Sequence, residues 1–584
     1  MEYELKDEGL VPDLKGHLVN TLSDQYFSKI GSVKKFPNLR NQRHLDSIYF
    51  QFCITHGEAD NDPSRGLPTP NLTAAYKGLS KYAKGQPMFK SDIRAKALDA
   101  LEREFGPFVR NWRIMSLNDT LQRVDNSTSC GYPWNKLYLT KGEALLDSNM
   151  LWEINRVWHL LSERFVVNNF SFHFDKEWVL TTYENFVCLI CKNLCDENHV
   201  CKRDYQYWCV WSNALKEEIR DAQKIAENNI RVFTACPLPF GVCSNRLSVD
   251  FNEKFNASHL KTSSCVGLNT FQGGWHSLYT KLRVKPCYYE TDLKQQDSSM
   301  NRELLALTND FRWRMLHPDD QTHDNYVRFC NKYRNSVDSV IITSDGNLVQ
   351  KHTGQCSGDN DTINQNTMLT VFLLAYSYFS TFPDNNYENF STDVMKAGCG
   401  DDTLVGVTRD LSVSFNADVI RDSLAPLFIT VISPTNQPRD VSQCEFLSRK
   451  FNKTLHGFVV PWFESGKFRT TLKFSERTCD PAYSLLRAAG VLVVGWSNEP
   501  FRHFVRRYID WIICEYDESC VGDPLWRQAR SSVLTDEQLC VLYLPSDTSH
   551  LSQFYVLKPQ SYGELSKAQR PIKDQNFYNM PQND

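Results

Sequence analysis

Gly354-Gln-Cys-Ser357-Gly358-Asp-Asn-Asp-Thr362-Ile-Asn-Gln-Asn366 runs straight into an apolar stretch that ends at Phe379. Its first half is rich in Gly, Ser and Asn, the composition of a loop. The second half predicts a buried helix over Thr362–Phe379, apolar on nearly every side. If the helix begins near Asn360 or Asp361, Thr362 and Asn366 stand four apart and share a face. The plain reading is an N-capped helix with a polar first turn. That accounts for Asn360 or Asp361 but gives Asn366 no reason to interrupt an apolar helix. The chemical reading has Thr362 and Asn366 address a ribose hydroxyl while Ser357 and Gly358 approach a template backbone.

Acidic residues flank this segment. Tyr288–Leu293 predicts a strand that ends where Asp292 appears, with Asp297 five residues further on and a helix from about Met300 to Met315. Downstream, Lys396–Gly400 and Asp401–Val407 predict two short strands around the turn Gly400-Asp401-Asp402. Phosphoryl transfer between polyanions needs cations to neutralise phosphate and to activate the attacking hydroxyl. Magnesium takes a few carboxylates together with substrate phosphates. Asp292 and Asp401 can supply them from adjacent strands. A lone Gly-Asp-Asp is most often a solvated turn, so the order and spacing of the three pieces carry the signal.

That order, Asp-x4-Asp, then Gly-x2-Ser-Gly-x3-Thr-x3-Asn, then Gly-Asp-Asp, resembles palm motifs A, B and C of viral RNA-directed RNA polymerases, in the picornavirus-like group that includes the caliciviruses. The likeness continues outward. Ser127-Thr-Ser129-Cys-Gly131-Tyr-Pro133 resembles the template-entrance loop, motif G. Leu215-Lys216-Glu-Glu-Ile-Arg220 with Asn229-Ile-Arg231-Val-Phe resembles the basic finger motif F, and Glu445-Phe446-Leu447-Ser448-Arg449 the primer-grip turn, motif E. The resemblance implies that Asp292 and Asp401 bind two Mg²⁺ ions, with Mn²⁺ able to substitute, and that Asp402 assists. It implies a ribose check by Asp297, Thr362 and Asn366. Lys216 and Arg231 would hold the incoming triphosphate, with Arg220 and Lys224 as rivals for the supporting role. Ser129, Gly131, Pro133, Ser357 and Gly358 would line the template, and Phe446, Leu447 and Arg449 the primer. Two departures stand out: Cys399 replaces the usual Tyr before Gly400, and motif D lacks its Lys, leaving Arg439 as a substitute pyrophosphate contact.

The resemblance further implies an α/β fold, a closed right hand whose antiparallel palm sheet is backed by helices. Fingers would span 1–281 and return over 312–350. The palm would take 282–311 and 351–454, and the thumb with a C-terminal tail 455–584. Implied partners are template RNA, product RNA and NTPs, with room for a protein primer and other viral replication proteins. The implied location is the host cytoplasm, at membrane-associated replication complexes.

The rest of the 584 residues fit. Apolar residues make up 41% and charged residues 23%, which excludes a disordered or fibrous chain. No run of about eighteen apolar residues predicts a membrane span, and Met1-Glu-Tyr-Glu-Leu-Lys has no secretory h-region. A net charge of -4 hides any local basic channel. The nineteen Cys are expected to be reduced. Cys188, Cys191, Cys195, His199 and Cys201 could ligate zinc, but ordinary buried cysteines are the stronger reading. Helices are expected over Lys90–Glu104, Leu145–Arg164, Tyr483–Val493 and Phe501–Glu515, and a strand over Ala425–Ile432. Arg502, Arg506 and Arg507, near Trp511, could line the duplex exit or simply face solvent. Competing readings are a reverse transcriptase, disfavoured by Asp297, Thr362 and Asn366, and an inactive RNA-binding relative, disfavoured by the intact acids.

Overall fold

The computed structural model describes residues 10–11, 14–33, 44–58, 65–85, 87–162, 209–216, 218–454, 457–475 and 477–544. The Cys188–Cys201 cluster and the chain after residue 544 lie outside them. The helices that shape the molecule are α1 (Ser47–His56), α2 (Ser91–Val109), α3 (Arg302–Met315), α4 (His323–Val337), α5 (Thr362–Thr381), α6 (Pro481–Gly495) and α7 (Glu499–Cys520). The central sheet is built from β1 (Cys287–Leu293), β2 (Met395–Cys399), β3 (Asp402–Val407) and β4 (Val431–Ile432). Its order is β2-β3-β1-β4, with every pair antiparallel.

Alternation along β1 decides how this sheet packs. Cys287, Tyr289 and Leu293 point to one face. There they meet Val405 and Val407 of β3 and Leu369, Phe372 and Phe379 of α5. Ile93, Ala97 and Ala100 of α2 close the same core. Each large side chain so buried contributes about 1.5–3 kcal/mol. α5 is buried almost continuously from Asn364 to Phe379, as a helix apolar all round must be. The other face carries Tyr288, Glu290 and Asp292. Trp275, Leu278 and Phe446 cover its Tyr288 end, whereas Asp292 is the most open of the three, though still partly desolvated. The sheet therefore offers its carboxylates at one uncovered end.

A second, six-stranded sheet joins Leu10–Val11, Phe27–Val33, Asn347–Lys351, Val340–Ile342, Val210–Leu215 and Val232–Ala235, in that order. An Asp345-Gly346 turn closes an antiparallel hairpin between Val340–Ile342 and Asn347–Lys351. The stretch after α4 thus returns to the sheet that holds Val210–Leu215.

Three findings differ from the sequence expectations. Within the span 1–281, α1 lies in the core of the C-terminal helices, Tyr49 and Phe52 meeting Leu485, Phe504 and Tyr508. Its buried N-cap, Asp46, also takes Arg487 at 2.7 Å. α2 and the Gly274–Leu282 helix pack on the central sheet. Ala425–Ile432 is not a continuous strand: Pro426 sits in a short 3₁₀ turn, Phe428 adopts φ 59°, and only Val431–Ile432 pairs. Finally, Arg502 and Arg506 are buried, Arg506 pairing with Asp536 at 3.1 Å, while Arg507 binds Glu58. Arg502 and Arg506 brace the helical domain from within rather than lining a duplex or facing solvent, while Arg507 keeps 38% of its side chain exposed.

Candidate active site

Asp292 and Asp402 sit directly opposite each other in the β1–β3 register. Gly400-Asp401 forms the two-residue turn between β2 and β3, where Cys399 faces Asp402. The turn is clamped to α5. Gly400 N–H donates to Thr367 Oγ1 at 2.9 Å, and the Thr370 hydroxyl donates to the Gly400 carbonyl at 2.8 Å. Gln296 Nε2 donates to Thr370 Oγ1 at 2.8 Å and to the Asn366 carbonyl at 3.0 Å. One hydrogen-bond network therefore fixes the chain after β1, the helix and the acidic turn together. Thr367, Thr370 and Gln296 escaped the sequence reading, because Thr in an apolar helix reads as filler.

The carboxylates crowd one another. Burial pushes Asp292 up to about 6, Asp401 adds to this, and Arg231 pulls the other way. Asp402 is pushed up to about 7, first by burial and then by Asp401 and Asp292, against a hydrogen bond from Leu447. That bond is short, Leu447 N–H to Asp402 Oδ2 at 2.6 Å. It steadies a two-residue turn, Leu447-Ser448, in which both non-glycine residues have positive φ, 53° and 58°. Arg449 donates to the Leu447 carbonyl at 2.9 Å from the far side. Phe446 is wholly buried and stacked near Trp275, so it anchors the turn and cannot meet a primer.

Among the described residues, no three Asp, Glu, His or Cys side chains enclose a common point. A magnesium site needs no such cage, since one or two carboxylates suffice when waters and phosphates complete the shell. Asp292 and Asp401 fit that role, whereas Asp402 is committed to Leu447. Burial pushes the Cys399 thiol up to about 11, so it stays protonated and is no ligand for a hard cation.

Of the expected ribose trio, two members meet. Asn366 Nδ2 donates to Asp297 Oδ1 at 2.8 Å. Asn366 Oδ1 is buried with no partner, and burial pushes Asp297 up. The Thr362 hydroxyl is turned back into its own loop, donating to the Asp359 carbonyl at 2.7 Å and the Cys356 carbonyl at 3.1 Å. The capped-helix reading fails as well: Asp361 makes no side-chain cap.

Two glycines let loops close on the Val232–Ala235 strand. A Cβ on Gly358 would stand 2.0 Å from the Thr234 carbonyl oxygen, and one on Gly131 2.5 Å from that of Cys236. Ser357 Oγ accepts from Thr234 N–H at 3.3 Å. Ser129 is exposed beside Gly131, and Pro133 is half-buried.

Lys216 and Arg231 are neighbours, Lys216 N–H donating to the Arg231 carbonyl at 2.8 Å. Both carry positive charge toward Asp297, and Arg231 also toward Asp292. Glu218 lies 3.5 Å from Arg231 and 3.1 Å from Arg220. Lys224 instead pairs with Asp221 at 2.7 Å. Lys81, which the sequence did not single out, is pushed down to about 8 by burial and by Arg220, Lys77, Arg231 and Lys294. Arg439 pairs with Glu290 at 3.1 Å. Glu290 and Asp292 share a face of β1, about 7 Å apart along the strand.

A family model described as "Viral RNA-dependent RNA polymerase" matches residues 57–513, well over half of the chain. The chain belongs to the viral RNA-dependent RNA polymerase family. The polymerase is 27% identical over 337 residues to the genome polyprotein of Ryegrass mosaic virus (isolate Denmark/Danish), covering 57% of this chain and 10% of that polyprotein. It is 25% identical over 373 residues to genome polyprotein 1 of Barley mild mosaic virus (strain Na1), covering 64% and 16%. It therefore spans only a small fraction of these relatives. In fold it is similar to a Sicinivirus 3Dpol RNA dependent RNA polymerase, with TM-score 0.60 and 12% identity, over 91% of this chain and 100% of that one. The right-hand fold read from the motifs is thus the fold observed. No helix among the described residues is long and apolar enough to cross a membrane.

Proposed function

We propose that this polymerase copies an RNA template by attack of an RNA 3′-hydroxyl on the α-phosphate of an NTP, with pyrophosphate leaving in line. The observation that carries the reading is the joint placement of Asp292 and Asp401 beside the Asp297–Asn366 pair. The first two would hold a pair of Mg²⁺ ions, or Mn²⁺ in their place. Bound there, the ions neutralise phosphate charge and activate the hydroxyl. Burial and the neighbouring Asp401 push the Asp292 carboxyl up, against ionisation, and a cation bound between the two would offset that repulsion and favour the ionised form. Asp402 holds the Leu447-Ser448 turn against the acidic turn, which keeps a primer end in register with the metals.

Ribose selection falls to Asp297 and Asn366. A 2′-hydroxyl donating to the orphaned Asn366 Oδ1 would satisfy a buried acceptor, and a deoxyribose would leave it empty. Arg231 and Lys216 would grip the triphosphate, Arg231 by paired N–H donors. Lys81 and Lys294 extend the positive field. Arg439 would meet pyrophosphate only by leaving Glu290. Ser129, Gly131, Pro133, Ser357 and Gly358 would face template, with Leu447 and Arg449 at the primer. Viral replication proteins, a protein primer and membrane-associated complexes of the host cytoplasm belong to the same proposal.

The test is incubation of purified chain with a primed heteropolymeric RNA, Mg²⁺ and labelled NTPs. Complementary RNA is expected, and none from Asp401→Ala. Incorporation that ignores template sequence, or survives in Asp401→Ala, would refute the reading.

A further inference from the structure

Behind the Gly/Ser loop lies a buried charge cluster with no part in the chemistry described so far. Asp359 and Asp361, at the junction of the loop and α5, are 7% and 0% exposed. Lys332 of α4 forms an ion pair with Asp361 Oδ2. Arg312 of α3 stands 3.4 Å from Asp361 Oδ1. Asn252 bridges the pair, donating to Asp361 Oδ1 at 3.0 Å and accepting from Arg312 Nη2 at 2.8 Å. Asp361 N–H donates to Asp359 Oδ1 at 3.2 Å, and the Ser336 hydroxyl donates to Asp359 Oδ2.

These charges bear directly on the ribose site. Asp359 offers its carbonyl to both the Thr362 hydroxyl, at 2.7 Å, and Thr362 N–H, at 3.1 Å. Asp361 offers its own carbonyl to Gln365 N–H at 2.8 Å. The backbone of these two residues thus forms the first turn of α5, one turn before Asn366, and their carboxylates tie it to Lys332, Arg312, Asn252 and Ser336. Gln355 N–H, on the loop's other limb, donates to the Asp297 carbonyl at 2.7 Å. Lys351 closes the base, donating to the Gly354, Ser336 and Val337 carbonyls. A short polar residue could cap a helix at the surface at far lower cost, since a buried charge is unfavourable unless paired. Burial pushes Asp361 up, yet Arg312 and Lys332 outweigh it and hold the carboxyl at about 2, so the pair is ionised.

Resting on the polymerase reading, we infer that Asp361, locked to Lys332 and Arg312, is a positioning residue for ribose selection. The buried pair fixes the start of α5, and through it the distance at which Asn366 meets Asp297 and the incoming sugar. It touches no substrate.

The test is single-nucleotide extension of a primed RNA by the full chain, scored as the ratio of kcat/KM for an NTP to that for its 2′-deoxy analogue. Asp361→Asn keeps the shape and removes the charge. It is expected to lower the ratio about tenfold, mostly through a faster deoxy reaction and a slower ribo kcat. Lys332→Arg keeps the charge and should hold the ratio within about threefold of wild type. Arg506→Met breaks a buried pair in the helical domain instead, and should lower the unfolding temperature without moving the ratio. Should Asp361→Asn not fold, Ser336→Ala removes one hydrogen bond to Asp359 and is expected to lower the ratio about threefold. An unchanged ratio in the folded variant overturns the inference, as does an equal fall in Arg506→Met. A wild-type chain that makes no RNA overturns the functional reading and this inference together.

Discussion

Asp402→Asn should make the metal-free protein more stable and a poorer enzyme. In the fold, the Asp402 carboxyl rises from its ordinary 3.8 to about 7, chiefly through burial. At about 1.4 kcal/mol per pH unit, this would cost about 4 kcal/mol above pH 7. Solvent screening at this partly open site brings the figure to about 2 kcal/mol. The sign follows from the direction. A carboxyl whose folded pKa is raised contributes stability that is fully present below about 3.8 and lost as pH rises through about 7. Wild-type protein in EDTA should therefore lose stability from about pH 4 to about pH 7, and over that window the variant should lose about 2 kcal/mol less. The amide oxygen can still accept from Leu447 N–H, so the turn survives. Urea denaturation followed by tryptophan fluorescence reads the difference, Trp275 lying beneath the same sheet. RNA synthesis should fall about tenfold, because the turn loses a charge-assisted bond. A variant equally or less stable than wild type at pH 8 would refute the electrostatic reasoning.

Asn366→Ala should lower the preference for NTP over 2′-deoxy NTP ten- to hundredfold, about 1–3 kcal/mol, measured by competitive extension; an unchanged preference would place the ribose check elsewhere. Gly358→Ala should abolish template copying and lower the unfolding temperature, because its Cβ would stand 2.0 Å from a backbone oxygen that cannot move aside alone. Lys81, held at about 8 among other cations, should lose its proton as pH rises past that value. The KM for NTP should then climb above pH 8 in wild type and stay flatter in Lys81→Met, as steady-state assays across pH 7–9.5 would record.

The acidic turn, the strand ending at Asp292 and the buried α5 were legible because each rests on local pattern: alternation, a two-residue turn, and an apolar run after a Gly/Ser loop. Asn366 was legible as an anomaly, and its partner is Asp297. What stayed hidden depends on contacts distant in sequence. Arg502 and Arg506 looked like a basic face until Asp536 and the surrounding helices enclosed them. Asp361 looked like a cap, because nothing near it in sequence signals Lys332 or Arg312. Lys81 joins Arg231 from 150 residues away. α1 gave no local sign that it would leave the N-terminal region to pack against α6 and α7. Motif spacing fixes the chemistry, whereas buried charge pairs emerge only when helices come together.

The most direct test of the account is single-turnover extension of a primed RNA by one templated NTP, titrated with Mg²⁺, in wild type, Asp292→Asn and Asp401→Asn. Both carboxylates are expected to be indispensable. Wild type should show a rate that rises from zero with Mg²⁺, and each variant should be slower by at least about a thousandfold at saturating metal. A variant that keeps wild-type rate, or wild-type extension that proceeds in EDTA, would contradict it.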